Sequence, residues 1–134
     1  MPFQLCIDFS IFPDDTVLGP AFNLAAIDFW DTPGGTIASF ANDTAGERGL
    51  QFPDSGLEVN LPLSVPWVRL RIGQFNAPFQ IEAFNPGGAV VAAFNMNVPN
   101  TYLNLYLRGP DITFLRFTGG GNEGILRIIC IPIP

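Results

Sequence analysis

Residues 67–94 read WVRLRIGQFNAPFQIEAFNPGGAVVAAF, and this stretch decides the fold class. Val68, Leu70 and Ile72 alternate with Trp67, Arg69 and Arg71. A period of two sets three apolar side chains on one face of a strand and a ring with two cations on the other. A helix would scatter the same residues around its axis. Gly73 interrupts the run, and Asn76-Ala77-Pro78 supplies turn chemistry. Phe79, Ile81 and Ala83 then alternate with Gln80 and Glu82, a second strand. Asn85-Pro86-Gly87-Gly88 is a tight turn, because proline presets φ and glycine accepts positive φ. Ala89 to Phe94 is an unbroken apolar run. Such a strand is covered on both faces, or its outer face meets another chain.

The same reading extends to both sides. Pro2 to Ser10 alternates Phe3, Leu5, Ile7 and Phe9 with Gln4, Cys6, Asp8 and Ser10, a strand followed by a turn at residues 12–16. Ala21 to Asp31 reads as one strand with mixed faces, turned by Thr32-Pro33-Gly34-Gly35. Thr36 to Ala41 is a short extended segment, and Asn42 to Gly49 a polar loop. Leu50 to Phe52 and Leu57 to Leu61 are strands, joined to the central stretch through Pro62 to Pro66. Thr101 to Arg108 sets Leu103, Leu105 and Leu107 against Tyr102, Asn104, Tyr106 and Arg108. Gly109-Pro110-Asp111 is read as a turn before a strand at 112–118, and a glycine-rich loop at 119–124 precedes the last strand, 125–131. The 13 prolines and 14 glycines punctuate short strands rather than pooling in a linker. No segment of helical length shows helical periodicity. The expectation is a single all-β domain over 1–134, a jelly-roll β-sandwich of about eight to ten antiparallel strands.

Composition bounds the function. Hydrophobic residues make up 48% and charged residues 13%, against roughly 25% charged in an average soluble domain. A surface so poor in charge is covered by Asn, Thr, Ser and Gly, or is partly a subunit interface. The net charge is −6, all six cations are arginine, and there is no lysine or histidine. An acidic chain without a basic cluster is a poor partner for nucleic acid. No apolar run approaches the roughly 20 residues of a membrane-spanning helix. The first residues lack the charged-then-apolar pattern of a secretory signal, so export is expected by another route or after clipping.

The order LQFPDSGLEVNLP (50–62), VRLRIGQF (68–75), PFQIEAFNPGGAVV (78–91) and DITFLRFTGGGNEGILRIICI (111–131) resembles the galactose-binding-like jelly-roll modules of secreted bacterial proteins. The resemblance spans roughly residues 50–131 and lies in the pattern of strands and turns. It implies a jelly-roll sandwich, glycan binding and an extracellular or cell-surface setting. Many such modules hold a structural calcium through acidic residues near both ends, and Glu123 and Asp8 stand at those places here. Many also present Trp or Tyr at the loop tips, where this chain is rich in Phe.

Cys6 and Cys130 lie near opposite ends of the chain. The first and last strands of a jelly roll run close together, so a disulfide is expected, which would imply an oxidising compartment. Two buried thiols are the other reading. Strand parity does not decide, since Cys6 shares a face with Gln4 and Asp8, and Cys130 with Leu126 and Ile128.

Catalysis finds little to work with. Without histidine or lysine, the usual bases that activate a serine or cysteine are missing. Two distant cysteines do not make a structural zinc site. Asp14 with Asp15, or Asp28 with Asp31, can be named as paired carboxylates, but adjacent aspartates beside a proline are turn residues first. The loop Thr118 to Asn122 lacks the Lys-Ser/Thr of a phosphate loop. The chain is therefore expected not to be an enzyme. No cofactor is expected: Asp14, Asp15, Asp43 and Glu47 read first as solvated loop carboxylates, and calcium is the one plausible ion they could hold. Asn42-Asp43-Thr44 is a glycosylation sequon.

Two outward rows remain. One is Tyr102, Asn104, Tyr106 and Arg108, and the other is Trp67, Arg69 and Arg71. Rings beside amide and guanidinium donors suit a sugar, which offers an apolar face and a fringe of hydroxyls. On neighbouring strands the rows would join into one platform, with Asn122 and Glu123 as an alternative edge site. The same rows can merely cover a solvated sheet, or anchor a subunit contact. The sequence thus favours a secreted, non-catalytic glycan-binding module. The alternative is a structural subunit that self-assembles as a homo-oligomer, shell or fibre.

Overall fold

The computed structural model describes residues 3–31 and 39–133, and antiparallel strands dominate it. In chain order they are β1 (Phe3–Asp8), β2 (Ala21–Leu24), β3 (Ile27–Asp31), β4 (Phe40–Thr44), β5 (Glu47–Phe52), β6 (Leu57–Gln74), β7 (Phe79–Phe84), β8 (Val90–Met96), β9 (Thr101–Gly119) and β10 (Gly124–Ile133). A single 3-10 turn, Phe9–Ile11, follows β1, and the Asp8 carboxylate caps it by accepting from the Ser10 N–H.

Two long strands make the sandwich. The first part of β6 pairs with β3 and with the end of β9, and β9 passes on to β7 and β8. The second part of β6 pairs with the start of β9 and with β10, which carries β1 and β5. β6 and β9 thus run through both layers, and the chain's hydrogen-bonded ladder folds over on itself. The layers meet through Phe52 of β5, whose ring centroid lies 5.3 Å from Phe79 and 5.5 Å from Phe117. At the other end Phe9 meets Phe29 edge-on at 5.5 Å. These five phenylalanines are buried and share one core with Leu57, Val59, Leu70, Ile72 and Ile129.

The fold class is as the sequence predicts: an all-β sandwich of ten strands among the described residues. The central stretch holds its register, with β6, β7 and β8 at the expected places. Several connections differ. Residues 62–66 are no linker, because β6 continues through them with register shifts on both sides of Val65. Pro62 and Pro66 are exposed there, and irregular pairing tolerates a residue without an N–H. The shift changes the inward parity from Leu57, Val59 and Leu61 to Val68, Leu70 and Ile72. Likewise Gly109-Pro110-Asp111 does not reverse the chain. Asp111 takes φ 55° within β9, and both halves stay paired with β6.

The segment 21–31 is a hairpin, not one strand. Ala25 and Ala26 both have positive φ, 50° and 68°, and form its two-residue turn. Residues 42–49 are also a hairpin rather than a loop, turning at Ala45-Gly46. The predicted turn at 32–35 lies outside the described residues, as does the first half of the segment at 36–41. The apolar run at 89–94 becomes β8, at the end of the strand order and hydrogen-bonded to β7. Met96 is buried and Phe94 packs on the core, while Val90 is 49% exposed. Among the described residues β8 is not covered on both faces and ends the strand order as an edge.

Candidate functional site

The two outward rows are neighbours. In the β6–β9 ladder Trp67 faces Arg108, Arg69 faces Tyr106, Arg71 faces Asn104 and Gly73 faces Tyr102. One layer therefore carries both rows on its outer surface, as the platform reading requires. Trp67 and Tyr106 meet edge-on at 5.8 Å. The Arg108 guanidinium lies 5.0 Å from the Tyr106 centroid, and half of Tyr106 remains exposed. Beside it is a groove of about 230 Å³ lined by Arg69, Leu70, Arg71, Asn104, Tyr106 and Ile128.

The rest of the row is tied down. Arg71 donates from Nε and Nη2 to the Glu47 carboxylate and from Nη1 to Asn104 Oδ1 at 3.1 Å. Arg127 adds a second cation to Glu47 at 3.0 Å. The Arg71 hydrogen bond, with the charges of Arg71 and Arg127, holds the Glu47 carboxyl below its usual range despite partial burial. The same hydrogen bond holds the Arg71 guanidinium above its usual value. Tyr102 donates its hydroxyl to the carbonyls of Thr44 and Glu47, at 3.1 and 3.3 Å. Burial first, and the Glu47 charge second, push that hydroxyl up to about 12. Tyr102 and Arg71 are thus struts between β9, β6 and the β4–β5 hairpin, not open contacts for a ligand. Sequence parity placed them on the correct face but could not show the hairpin that closes over them.

Cys6 and Cys130 are bonded, directly opposite each other in the β1–β10 ladder. A register shift between Leu126 and Ile128 turns Cys130 and Ile128 outward while Leu126 stays in the core. This bulge resolves the parity conflict between the two cysteines. Arg69 points its Nη2 at the bridge, 3.1 Å from the Cys130 sulfur. The disulfide therefore borders the platform.

The other candidates separate from it. Asn122 Oδ1 accepts from the Asp54 N–H, and its carbonyl accepts from Gln51. Its loop is further pinned by Asn76 donating to the Gly121 carbonyl. Asn122 thus serves as a tie, and Glu123 is exposed beside it. The calcium donors do not converge. Asp43 pairs with Arg48, Glu47 with Arg71 and Arg127, and Asp14 accepts from the Asp43 N–H. Asp15 and Glu123 are exposed, Asp8 caps the 3-10 turn, and no cluster of three acidic or cysteine side chains able to hold a metal occurs among the described residues. The sequon asparagine, Asn42, is half-buried on β4 and donates to Gln51 and Thr44.

Two other hollows deserve comparison. The larger, about 490 Å³, is lined by residues 78–80, 95–97, 118 and 119 and holds no charged group. The second, about 380 Å³, lies beside Trp30, which is 40% exposed, with Asn23 and Asp28. The sequence does not announce it, because its hairpin turns on two alanines rather than on turn residues. Asn23 and Asp28 bind each other at 2.7 Å, which occupies polar groups a ligand would need. Of these three hollows, the Tyr106 groove is the one that combines an exposed ring, an amide and two cations.

No family model matches the chain, and no curated protein is significantly similar to it. Among solved structures it is similar to an arabinose-bound MgGH51 α-L-arabinofuranosidase, at 14% identity and TM-score 0.46, over 93% of this chain and 25% of the enzyme. It is also similar to a family 6 carbohydrate-binding module, at 13% identity and TM-score 0.43, over 95% of this chain and 92% of the module. At such scores neither neighbour bears on what this chain does.

Proposed function

We propose that the chain is a non-catalytic glycan-binding module whose site is the groove beside Tyr106. The observation that carries this is the half-exposed Tyr106 ring, set edge-on to Trp67 and flanked by Asn104, Arg69 and Arg108. A pyranose ring would lie against Tyr106, and its hydroxyls would be read by the amide and the guanidinium forks. Tyr102 and Arg71 would hold the platform rigid and so reduce the ordering cost of binding. No reaction is assigned, because the chain has neither histidine nor lysine to act as a base. In this reading the module works outside the cell or at its surface, where a Cys6–Cys130 bridge persists. A glycan array followed by titration calorimetry tests it. Tyr106→Ala should weaken the best glycan roughly tenfold or more, the value of about 1.4 kcal/mol of stacking. Flat binding across the array would remove the proposal.

A second reading has its own observation. β8 is an edge strand without a charged residue, hydrogen-bonded to β7 on one side. Such an edge can add a strand from a second copy, which would make the protein a self-assembling subunit.

A further inference from the structure

The distribution of arginine narrows the ligand class. The chain carries a net charge of −6 and only six arginines. Four of them, Arg69, Arg71, Arg108 and Arg127, stand on the layer that bears the groove or on the bulge beside it. On the same layer Arg48 of β5 is paired with Asp43 of β4, Glu47 is held by Arg71 and Arg127, and Asp8 is occupied with the Ser10 N–H. Each of these carboxylates is thus already engaged.

Two of these cations have no carboxylate. Among the described residues Arg48, Arg71, Arg116 and Arg127 each form an ion pair, and Arg69 and Arg108 form none. Arg108 rests over the Tyr106 ring. Arg69 is half-buried against the disulfide, with the two sulfurs as its hydrogen-bond acceptors. Sulfur is a weak acceptor, and a guanidinium has five N–H donors in a rigid fork. A partly desolvated fork without an oxygen anion is an incomplete ion pair, and its planar geometry matches a carboxylate. Both unpaired cations flank the ring on which a sugar would rest, since Arg69 is the cross-strand partner of Tyr106.

The geometry points to an acidic sugar: a hexuronate unit whose pyranose face lies on Tyr106 and whose carboxylate is taken by Arg69, with Arg108 supporting it. This rests on the glycan-binding reading and specifies its substrate class.

The test is calorimetry on the intact chain with three probes: galacturonate oligomers, the same oligomers with the carboxyl reduced to a primary alcohol, and dextran sulfate. The galacturonate oligomer should bind at least tenfold more tightly than its reduced form. Arg69→Gln should erase that preference, and Arg69→Lys should keep part of it, with near-UV circular dichroism confirming an unchanged fold. Arg108→Gln, on an exposed residue, provides the same comparison away from the disulfide. Equal affinity for the acidic and reduced oligomers, still sensitive to Tyr106→Ala, would overturn the inference and leave the glycan-binding reading standing. Dextran sulfate binding as tightly as galacturonate, with Arg69→Gln no worse than Arg127→Gln, would also overturn it, as unspecific polyanion adhesion. No binding to any sugar would remove both.

Discussion

The Tyr102 ring lies over Gly73, where a Cβ would come within 2.8 Å of two ring carbons. The glycine makes the space that lets the ring lie down, and its hydroxyl then reaches the carbonyls of Thr44 and Glu47. The neutral hydroxyl is the form that fits, which is why it is pushed up to about 12 from 10.0. The consequence for stability follows from linkage. Between about 10 and 12 the unfolded chain loses the Tyr102 proton and the folded chain keeps it. Folding stability from this group is therefore complete below about pH 10 and is lost as pH rises towards 12. For a half-buried hydroxyl the loss is on the order of 1–2 kcal/mol after screening by solvent. Urea titrations at neutral and alkaline pH should show a steeper alkaline decline in the wild type than in Tyr102→Phe. Parallel declines would mean the hydroxyl is not the group responsible. Alternation in the sequence makes the face of Tyr102 legible, but not its closure, because that depends on a hairpin whose own sequence, Asn42 to Gly49, has no apolar alternation.

At the level of elements, strand alternation recovers the existence of strands far better than their ends. Proline and glycine mark irregular backbone, and a bulge and a chain reversal need the same residues. Thus Pro62 to Pro66 and Gly109 to Asp111 read as connections, although β6 and β9 continue through them with irregular pairing. The opposite error occurs at Ala25-Ala26, where two alanines adopt the left-handed backbone that Asn-Gly would normally announce. There pairing of Phe22 with Phe29, stacked at 4.8 Å, holds a turn that local preference does not favour. β8 is where an element carries a prediction of its own. Natural edges are commonly guarded by charge, especially lysine, and VVAAFNM contains none. If this edge joins copies, light scattering on the wild type should show dimers or larger species. Ala93→Lys, at an exposed position in the middle of β8, should return it to a monomer without lowering its unfolding midpoint. A wild type that stays monomeric at the highest attainable concentration would dispose of the assembly reading and leave the groove as the better account.

For the whole molecule, the Cys6–Cys130 bridge joins the first described strand to the last across a sequence separation of 124. In the chain-entropy model such a long loop is worth at most about 5 kcal/mol, a large share of the 5–15 kcal/mol typical of a domain. The structure shows what the bridge secures. β1 hydrogen-bonds to β10, and it delivers Ile7 and, just beyond, Phe9 into the core between the layers. Phe9 in turn meets Phe22 and Phe29. Loosening β1 would therefore open one end of the sandwich while the Phe52 contacts at the other end remain. The bridge also seats Arg69, so the same change should reach the groove. A Cys6→Ser/Cys130→Ser variant should lose roughly 2–5 kcal/mol in urea unfolding. Its hydrogen exchange should rise first in β1 and in the paired residues of β10, with β7 and β9 still protected. An even rise across all strands would show that the domain opens as one unit and that the bridge acts only on the unfolded chain. If affinity for the best glycan falls in the variant under conditions where it remains folded, the disulfide is part of the site's support as well as of the fold's.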